Sequence, residues 1–205
     1  MFITPSSIAI NLKKATPICT IFPDMGFAET VARYLGKSSI DESVSQKELN
    51  RITTLSQIGV QKISQKIVSI EGIQYLNNLK IFSVGGNQIS DLSPLKDLKS
   101  LCEVSLPFNQ IIDLTPLSSL TNLQRINLSY NQIIDLEPLE YLSSLYALEI
   151  KSNYINNLTP ISKLKELRTL DITGNCIREL WPLLCLENLK DLWLYPRQLE
   201  SIHLL

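Results

Sequence analysis

From residue 79 onward, apolar residues recur in a fixed frame of 22 positions. Each unit opens on a leucine: Leu79, Leu101, Leu123, Leu145, Leu167 and Leu189. Three positions later stand Phe82, Val104, Ile126, Leu148, Leu170 and Leu192. Two after those come Val84, Leu106, Leu128, Ile150, Ile172 and Leu194. One asparagine column, Asn87, Asn109, Asn131, Asn153 and Asn175, keeps the same phase. So do Ile89, Ile111, Ile133, Ile155 and Ile177, and the prolines Pro94, Pro116, Pro138, Pro160 and Pro182. A period of this length predicts one supersecondary unit stacked on copies of itself. Within each unit the alternation around the second leucine position predicts a short strand, one side inward and the other in solvent.

The frame L-x-x-L-x-L-x-x-N-x-I is the leucine-rich-repeat pattern. It predicts an α/β repeat fold: a solenoid with a parallel concave sheet and short 3-10 or irregular convex turns. An asparagine amide both donates and accepts, so a stacked column of them can satisfy backbone groups buried where the chain leaves the strand. The D-L-[ST]-P-L stretch predicts a short helical turn with Ser93, Thr115 and Thr159 as N-caps and the prolines where a missing N–H costs little. Glu137 and Trp181 share the cap column and are expected to leave their turns less well capped. The acidic column Asp91, Asp113 and Asp135, continued by Asn157 and Glu179, reads as helix-end electrostatics rather than a metal ladder.

Five full repeats span 79–188. Upstream, Ile67, Ile70 and Ile73 keep the apolar spacing while Gln65 stands in the asparagine column, so a degenerate unit opens the array near residue 67. Downstream, Leu199, Ile202 and Leu205 keep the spacing with no cap in view, which reads as a fragment of a longer protein. Residues 1–15 are expected to be a flexible segment, 16–66 a helical cap and 67–205 the array. In the cap, Phe27, Val31, Tyr34 and Leu35 have helical spacing closed by Gly36, and Ser45-Gln46-Lys47-Glu48 is a capping box opening a second helix.

The runs Thr16-Pro17-Ile18, Ile21-Phe22-Pro23-Asp24, Ala28-Glu29, Leu35-Gly36-Lys37, Val44-Ser45-Gln46 and Thr53-Thr54-Leu55 resemble the N-terminal cap of the internalins. These are leucine-rich-repeat proteins of Listeria and related bacteria. Gly85-Gly86-Asn87-Gln88-Ile89-Ser90-Asp91-Leu92-Ser93-Pro94-Leu95 is similar to an internalin repeat. The resemblance covers roughly residues 15 to 205. It implies a bacterial protein, secreted or on the cell surface, with a role in adhesion or virulence. The segment from Ser56 to Lys66 is longer than the usual junction between cap and repeats. Residues 1–20 do not show the order of a secretory signal, since Lys13 and Lys14 follow the apolar Ile8-Ala9-Ile10.

Composition narrows the function by exclusion. With 44% apolar residues the chain can fill a core, and no apolar run approaches a membrane span. A net charge of −1 gives no general attraction to nucleic acid. Cys19, Cys102, Cys176 and Cys185 form no C-x-x-C pair and are expected to be free thiols. His203 is the only histidine, and no glycine-rich phosphate loop is present, so neither catalysis nor a cofactor nor a metal is expected.

What differs between repeats carries the functional signal. The solvent-facing strand positions are Ile81, Ser83 and Gly85; Glu103, Ser105 and Pro107; Arg125, Asn127 and Ser129; Ala147, Glu149 and Lys151; Thr169, Asp171 and Thr173; Asp191, Trp193 and Tyr195. Phe108 and Tyr130 lie just before the asparagines, at the sheet rim. Aromatics and arginine are enriched at interfaces, so the candidate partner-binding residues are Glu103, Phe108, Arg125, Tyr130, Glu149, Lys151, Asp171, Asp191, Trp193 and Tyr195. The expected partner is a protein of mixed apolar and charged surface, such as a host cell-surface receptor, bound by a monomer. Packing along the rim is the competing role for Phe108 and Tyr130, and cover for the end of the array that for Trp193 and Tyr195. Two other functions stay open: a cytoplasmic scaffold resembling the leucine-rich-repeat regulator of protein phosphatase 1, and a structural spacer.

Overall fold

A computed structural model describes residues 10–57 and 65–195. The sequence features at Leu199, Ile202, His203 and Leu205, and most of the 1–15 segment, lie outside the described residues. The chain begins with β1 (Thr16–Pro17), α1 (Ile18–Ile21), α2 (Met25–Tyr34), β2 (Ser43–Val44) and α3 (Gln46–Leu49). Seven strands follow: β3 (Thr54–Ser56), β4 (Ile81–Ser83), β5 (Glu103–Ser105), β6 (Arg125–Asn127), β7 (Ala147–Glu149), β8 (Thr169–Asp171) and β9 (Asp191–Trp193). They form one parallel sheet in sequence order, and a 3-10 turn precedes each strand from β4 onward.

Register follows the sequence period. Phe82 stands opposite Val104, Val104 opposite Ile126, and so on to Leu170 opposite Leu192. The first turn breaks the frame: Leu55 stands opposite Phe82, 27 residues on. The first strand therefore comes from the segment just after α3, and the degenerate unit beginning at Ile67 is its return path. The extra residues fall in the junction that the sequence marks as long.

The inward columns make one continuous core from Ile18 to Leu186. Leucine, isoleucine and valine at the repeated positions are almost wholly removed from water up to Ile177, each stacked on its copy in the next turn, whereas in the last described turn Leu189 and Leu194 are half-buried and Leu192 is exposed. Cutting one of the buried leucines to alanine costs about 2–5 kcal/mol.

The cap closes the open end of this core by three devices. Phe22, Phe27 and Phe82 meet edge to face at centroid separations of 5.4 and 6.3 Å, carrying the cap's core into the first full repeat. Asp24 Oδ1 caps α2 by accepting from the Phe27 N–H at 2.9 Å, while Oδ2 accepts from the N–H groups of Val68 and Ser69 at 2.9 and 3.1 Å. Tyr34 at the end of α2 donates its hydroxyl to the Ser56 carbonyl at 2.8 Å and accepts from the Ser56 N–H at 2.6 Å. That contact occupies the backbone at the edge strand, which would otherwise be left to pair with another chain. The Gly36 N–H and the Lys37 N–H close α2 on Arg33 and Ala32, and the Ser45–Glu48 capping box opens α3 as the sequence predicts.

The asparagine column works as a ladder. Asn131 Nδ2 donates to the carbonyls of Leu106 and Leu128, both at 3.0 Å, and its Oδ1 accepts from the Ile111 N–H at 3.0 Å. Asn109 repeats this set one turn before, and Asn153 and Asn175 one and two turns after. At the array's start Asn87 donates instead to Gln57 Oε1, at 2.9 Å. Gln65, in the column by counting, is exposed.

The convex turns are capped differently from expectation. Ser93, Thr115 and Thr159 are the first residues of their 3-10 turns and cap nothing. The residue two positions earlier does the work. Asp91, Asp113 and Asp135 each accept from the N–H of Ser93, Thr115 and Glu137 at 2.8 Å, and Asn157 accepts from Thr159 at 2.9 Å. These are side-chain turns of the aspartate and asparagine type. The turn at Glu137 is consequently held as well as its neighbours, and the acidic column is explained by direct bonding rather than by long-range helix-end electrostatics. Bonds to Thr115, first from its side chain and then from its backbone, hold the Asp113 carboxyl below its ordinary pKa.

Candidate functional site

The solvent side of the sheet is organised in three rows that run across the strands. In the first, Ile81, Glu103, Arg125, Ala147, Thr169 and Asp191 are successive register partners. In the second, Ser83, Ser105, Asn127, Glu149, Asp171 and Trp193 follow one another. The third, at the strand ends, runs through Pro107, Ser129, Lys151, Thr173 and Tyr195. Two of these positions are not solvent-facing as expected: Ala147 and Ser129 are buried. Ala147 is the smallest side chain in its row, with Arg125 and Thr169 beside it. The Ser129 N–H is taken by Asn127 Oδ1 at 3.0 Å.

The first two rows are fixed by polar pairs. Arg125 Nε lies 3.8 Å from Glu103 Oε2. A hydrogen bond to the Tyr146 side chain, assisted by Glu103 and Glu149, raises the Arg125 pKa further above its ordinary value. Asn127 Nδ2 donates to Glu149 Oε2 at 2.9 Å, and Asp171 Oδ1 accepts from the Thr173 N–H at 2.9 Å. Glu149 and Asp171 are adjacent like charges, and each has its own donor. The Arg125–Glu103 pair is exposed, so its direct contribution to stability is at most about 1 kcal/mol.

Beyond the strand ends the backbone does something the repeat pattern does not announce. Gly86, Phe108, Tyr130, Ser152 and Gly174 occupy one column, and all have positive φ: 71°, 57°, 59°, 53° and 76°. The chain turns left-handed at this point in every repeat, placing the following asparagine under the strand. Glycine meets this demand freely in two repeats. A side chain there costs about 1–2 kcal/mol, because its Cβ crowds the next carbonyl. Phe108 and Tyr130 accept that strain and are nevertheless exposed. Their rings stack with centroids 4.1 Å apart and planes 9° from parallel.

Lys151 links this stack to the far end of the sheet. Its Nζ lies 5.6 Å from the Tyr130 ring centroid. The Tyr130 side chain first, and then Asp171 and Tyr195, raise its pKa above the ordinary lysine value. The structure thus brings Phe108, Tyr130, Lys151, Asp171 and Tyr195 into one ridge, with Glu103, Arg125 and Glu149 on the sheet beside it. Asp191 and Trp193 lie on the last strand, opposite Thr169 and Asp171, and both are exposed. The sequence reading missed Tyr146 as the partner of Arg125. It also missed the left-handed column, although Gly86 and Gly174 stand in phase four repeats apart and signal it.

Among the described residues no cluster of three or more His, Cys, Asp or Glu could hold a metal ion. All four cysteines are free thiols. No helix among the described residues is long and apolar enough to cross a membrane.

Known proteins share this architecture. Residues 6–50 match the family described as the bacterial adhesion/invasion protein N terminal, and residues 99–141 match a two-copy leucine-rich-repeat family. Internalin H of Listeria monocytogenes serovar 1/2a (strain ATCC BAA-679 / EGD-e) is 39% identical over 82 residues, 40% of this chain and 14% of that protein. Internalin C of Listeria monocytogenes serotype 1/2a (strain EGD / Mackaness) is 40% identical over 75 residues, 35% of this chain and 23% of that protein. The crystal structure of an internalin from Listeria monocytogenes strain 4b F2365 superposes with a TM-score of 0.83 at 34% identity. That match covers 92% of this chain and 56% of the solved one. The matched regions are therefore a minor part of both curated relatives and about half of the solved structure.

Proposed function

The chain belongs to the internalin family of leucine-rich-repeat proteins, and from that premise we propose that it binds a protein ligand on the concave face of its sheet without catalysing a reaction. The leucine-rich-repeat fold of this family is a protein-interaction fold. The observation that carries the reading to a site is the ridge of Phe108, Tyr130 and Lys151: two exposed aromatics, stacked, held at a strained backbone position, beside a half-buried cation. Nothing in the packing of the core requires those rings. Aromatic anchors flanked by charge are the usual energetic centre of a protein interface.

Arg125, Glu103, Glu149 and Asp171 are pre-positioned by bonds within the protein, so a partner meets a surface whose side-chain entropy is already reduced. The face carries charges of both signs, Arg125 and Lys151 against Glu103, Glu149 and Asp171, which fits a partner of mixed charge and disfavours nucleic acid. In line with its relatives, we place the protein outside the bacterial cytoplasm, as an adhesion or virulence factor recognising a host cell-surface protein.

The test is binding of the purified, labelled chain to intact mammalian epithelial cells. The variants are Arg125→Ala with Lys151→Ala on the concave face, and Lys96→Ala with Asp97→Ala on a convex turn as control. Saturable binding that falls about tenfold or more in the concave variant alone supports the reading. A folded wild-type chain that binds no cell type, or a concave variant that binds like wild type, removes it in favour of a spacer or an internal scaffold.

A further inference from the structure

Besides the Phe108–Tyr130 stack and Tyr141 on a convex turn, the middle repeats expose three apolar side chains on the flank, in the stretches that leave each strand and precede the next convex turn. Ile112 is 56% exposed, Ile134 55% and Tyr154 60%. Consecutive stretches are held in register by backbone bonds, Gln132 N–H to the Ile111 carbonyl and Tyr154 N–H to the Ile133 carbonyl, each 2.9 Å. Ile112 and Ile134 occupy the same position in adjacent turns, one strand spacing of about 4.8 Å apart. In the other full repeats that column holds Ser90, Asn156 and Arg178, and in the degenerate first unit Val68. Tyr154 fills a column otherwise held by Gln88, Gln110, Gln132 and Cys176. The repeat itself therefore tolerates polar side chains at both positions, and these three apolar ones have no folding reason.

A line of carboxylates borders the patch. Asp91, Asp113 and Asp135 are exposed, each directly follows the flank position of its repeat, and none has an ion-pair partner among the described residues. Each still carries its charge after capping its turn. Past Tyr154 the flank opens into a groove of about 480 Å³ lined in part by Asn156, Arg178 and Pro182. Asn157 interrupts the carboxylate column there, and Glu179 lines the same groove beside Arg178, so the unbroken acidic border is confined to the earlier repeats.

We propose that this flank is a second docking surface, separate from the concave face, for a protein segment that carries apolar side chains alternating with lysine or arginine. The apolar residues of the segment cover Ile112, Ile134 and Tyr154 while its cations lie over Asp91, Asp113 and Asp135. A second copy of this chain fits worse, because a two-fold pairing of the flanks sets the acidic column against itself.

The probe is a fluorescent peptide of four Leu-Lys repeats, compared with four Leu-Glu repeats and four Ser-Lys repeats, titrated with the full chain at physiological salt. Saturable binding is expected for Leu-Lys alone, with the other two at least about tenfold weaker. Ile112→Ser with Ile134→Ser and Tyr154→Gln introduces residues the same columns already use, and should reduce Leu-Lys binding about tenfold or more. Asp113→Asn with Asp135→Asn keeps the turn acceptor, as Asn157 does, and should weaken binding and flatten its salt dependence. The concave variant Arg125→Ala with Lys151→Ala should leave peptide binding unchanged, so the two surfaces fail independently. Absence of saturable binding, equal binding of the Leu-Glu peptide, or indifference to the flank substitutions overturns the proposal. So does a dimer in sedimentation that Ile112→Ser with Ile134→Ser dissolves.

Discussion

Phe108 and Tyr130 stack face to face, 4.1 Å between ring centroids, from two backbone positions that are both left-handed. Two effects of opposite sign meet there. The left-handed backbone costs about 1–2 kcal/mol at each side chain, and the stacked pair returns about 0.5–1.5 kcal/mol. Replacing both by asparagine, which tolerates that conformation better, should change stability by no more than about 1 kcal/mol. Cell binding should fall far more than that figure implies. Denaturant unfolding beside the cell assay separates the two, and a loss of several kcal/mol in stability would make the pair structural.

Asn131 makes the opposite case, a polar residue whose role is wholly internal. Asn131→Ala leaves the Ile111 N–H without its acceptor, while the Leu106 and Leu128 carbonyls each lose one donor and keep Asn109 and Asn153, and it should cost about 2 kcal/mol. Asn131→Asp should be at least as damaging, since a carboxylate cannot donate to the Leu106 and Leu128 carbonyls that the amide now serves. Urea midpoints of the two variants decide it. A cost below that of an ordinary surface change would mean that water takes the amide's place.

Asp24 joins two structures with one carboxylate, capping α2 through one oxygen and gripping Val68 and Ser69 through the other. Asp24→Ala should therefore cost more than the cap alone, about 2–3 kcal/mol. Asp24→Ser keeps the cap and loses the grip on the array, so it should lie between. Asp24→Ser as stable as wild type would show that only the helix cap matters, and equal stability of the two variants that only the grip on Val68 and Ser69 does.

Glu48 supplies a pH dependence. Bonds from the Ser45 backbone and side chain, then from Lys37, lower its pKa from 4.5 to about 2. A carboxyl whose folded pKa is depressed stabilises the protein above its unfolded pKa, and loses that contribution as pH falls toward the folded one. The window is thus pH 4.5 down to about 2. The side chain is one-third exposed, so solvent screening reduces the effect to roughly that of a capping box, about 1 kcal/mol. Glu48→Gln should lower the melting temperature at pH 7, and the gap to wild type should close near pH 2. A gap of constant size at both pH values would show that the charge is irrelevant.

The 22-residue period was enough to predict the sheet, its parallel register from Phe82 to Leu192, the buried asparagines and the position of the prolines. Each of those depends on a residue meeting its own copy one turn away, and a linear sequence displays that relation directly. The helical cap was legible for a related reason, since Ser45, Glu48 and Gly36 act within their own turns. What escaped was everything joining unlike positions. The 27-residue first turn, the double use of Asp24 and the hold of Tyr34 on β3 connect segments with no common period. Capping by Asp91, Asp113 and Asp135 was misassigned to the neighbouring hydroxyls because both residue types are good caps, and only the backbone geometry selects between them. The candidate ridge was half visible. Composition at the rim singled out Phe108 and Tyr130, but their left-handed backbone, their stacking, the bridge through Lys151 and the apolar flank beside them arise where side chains from different repeats meet in space, and only the folded stack sets those meetings.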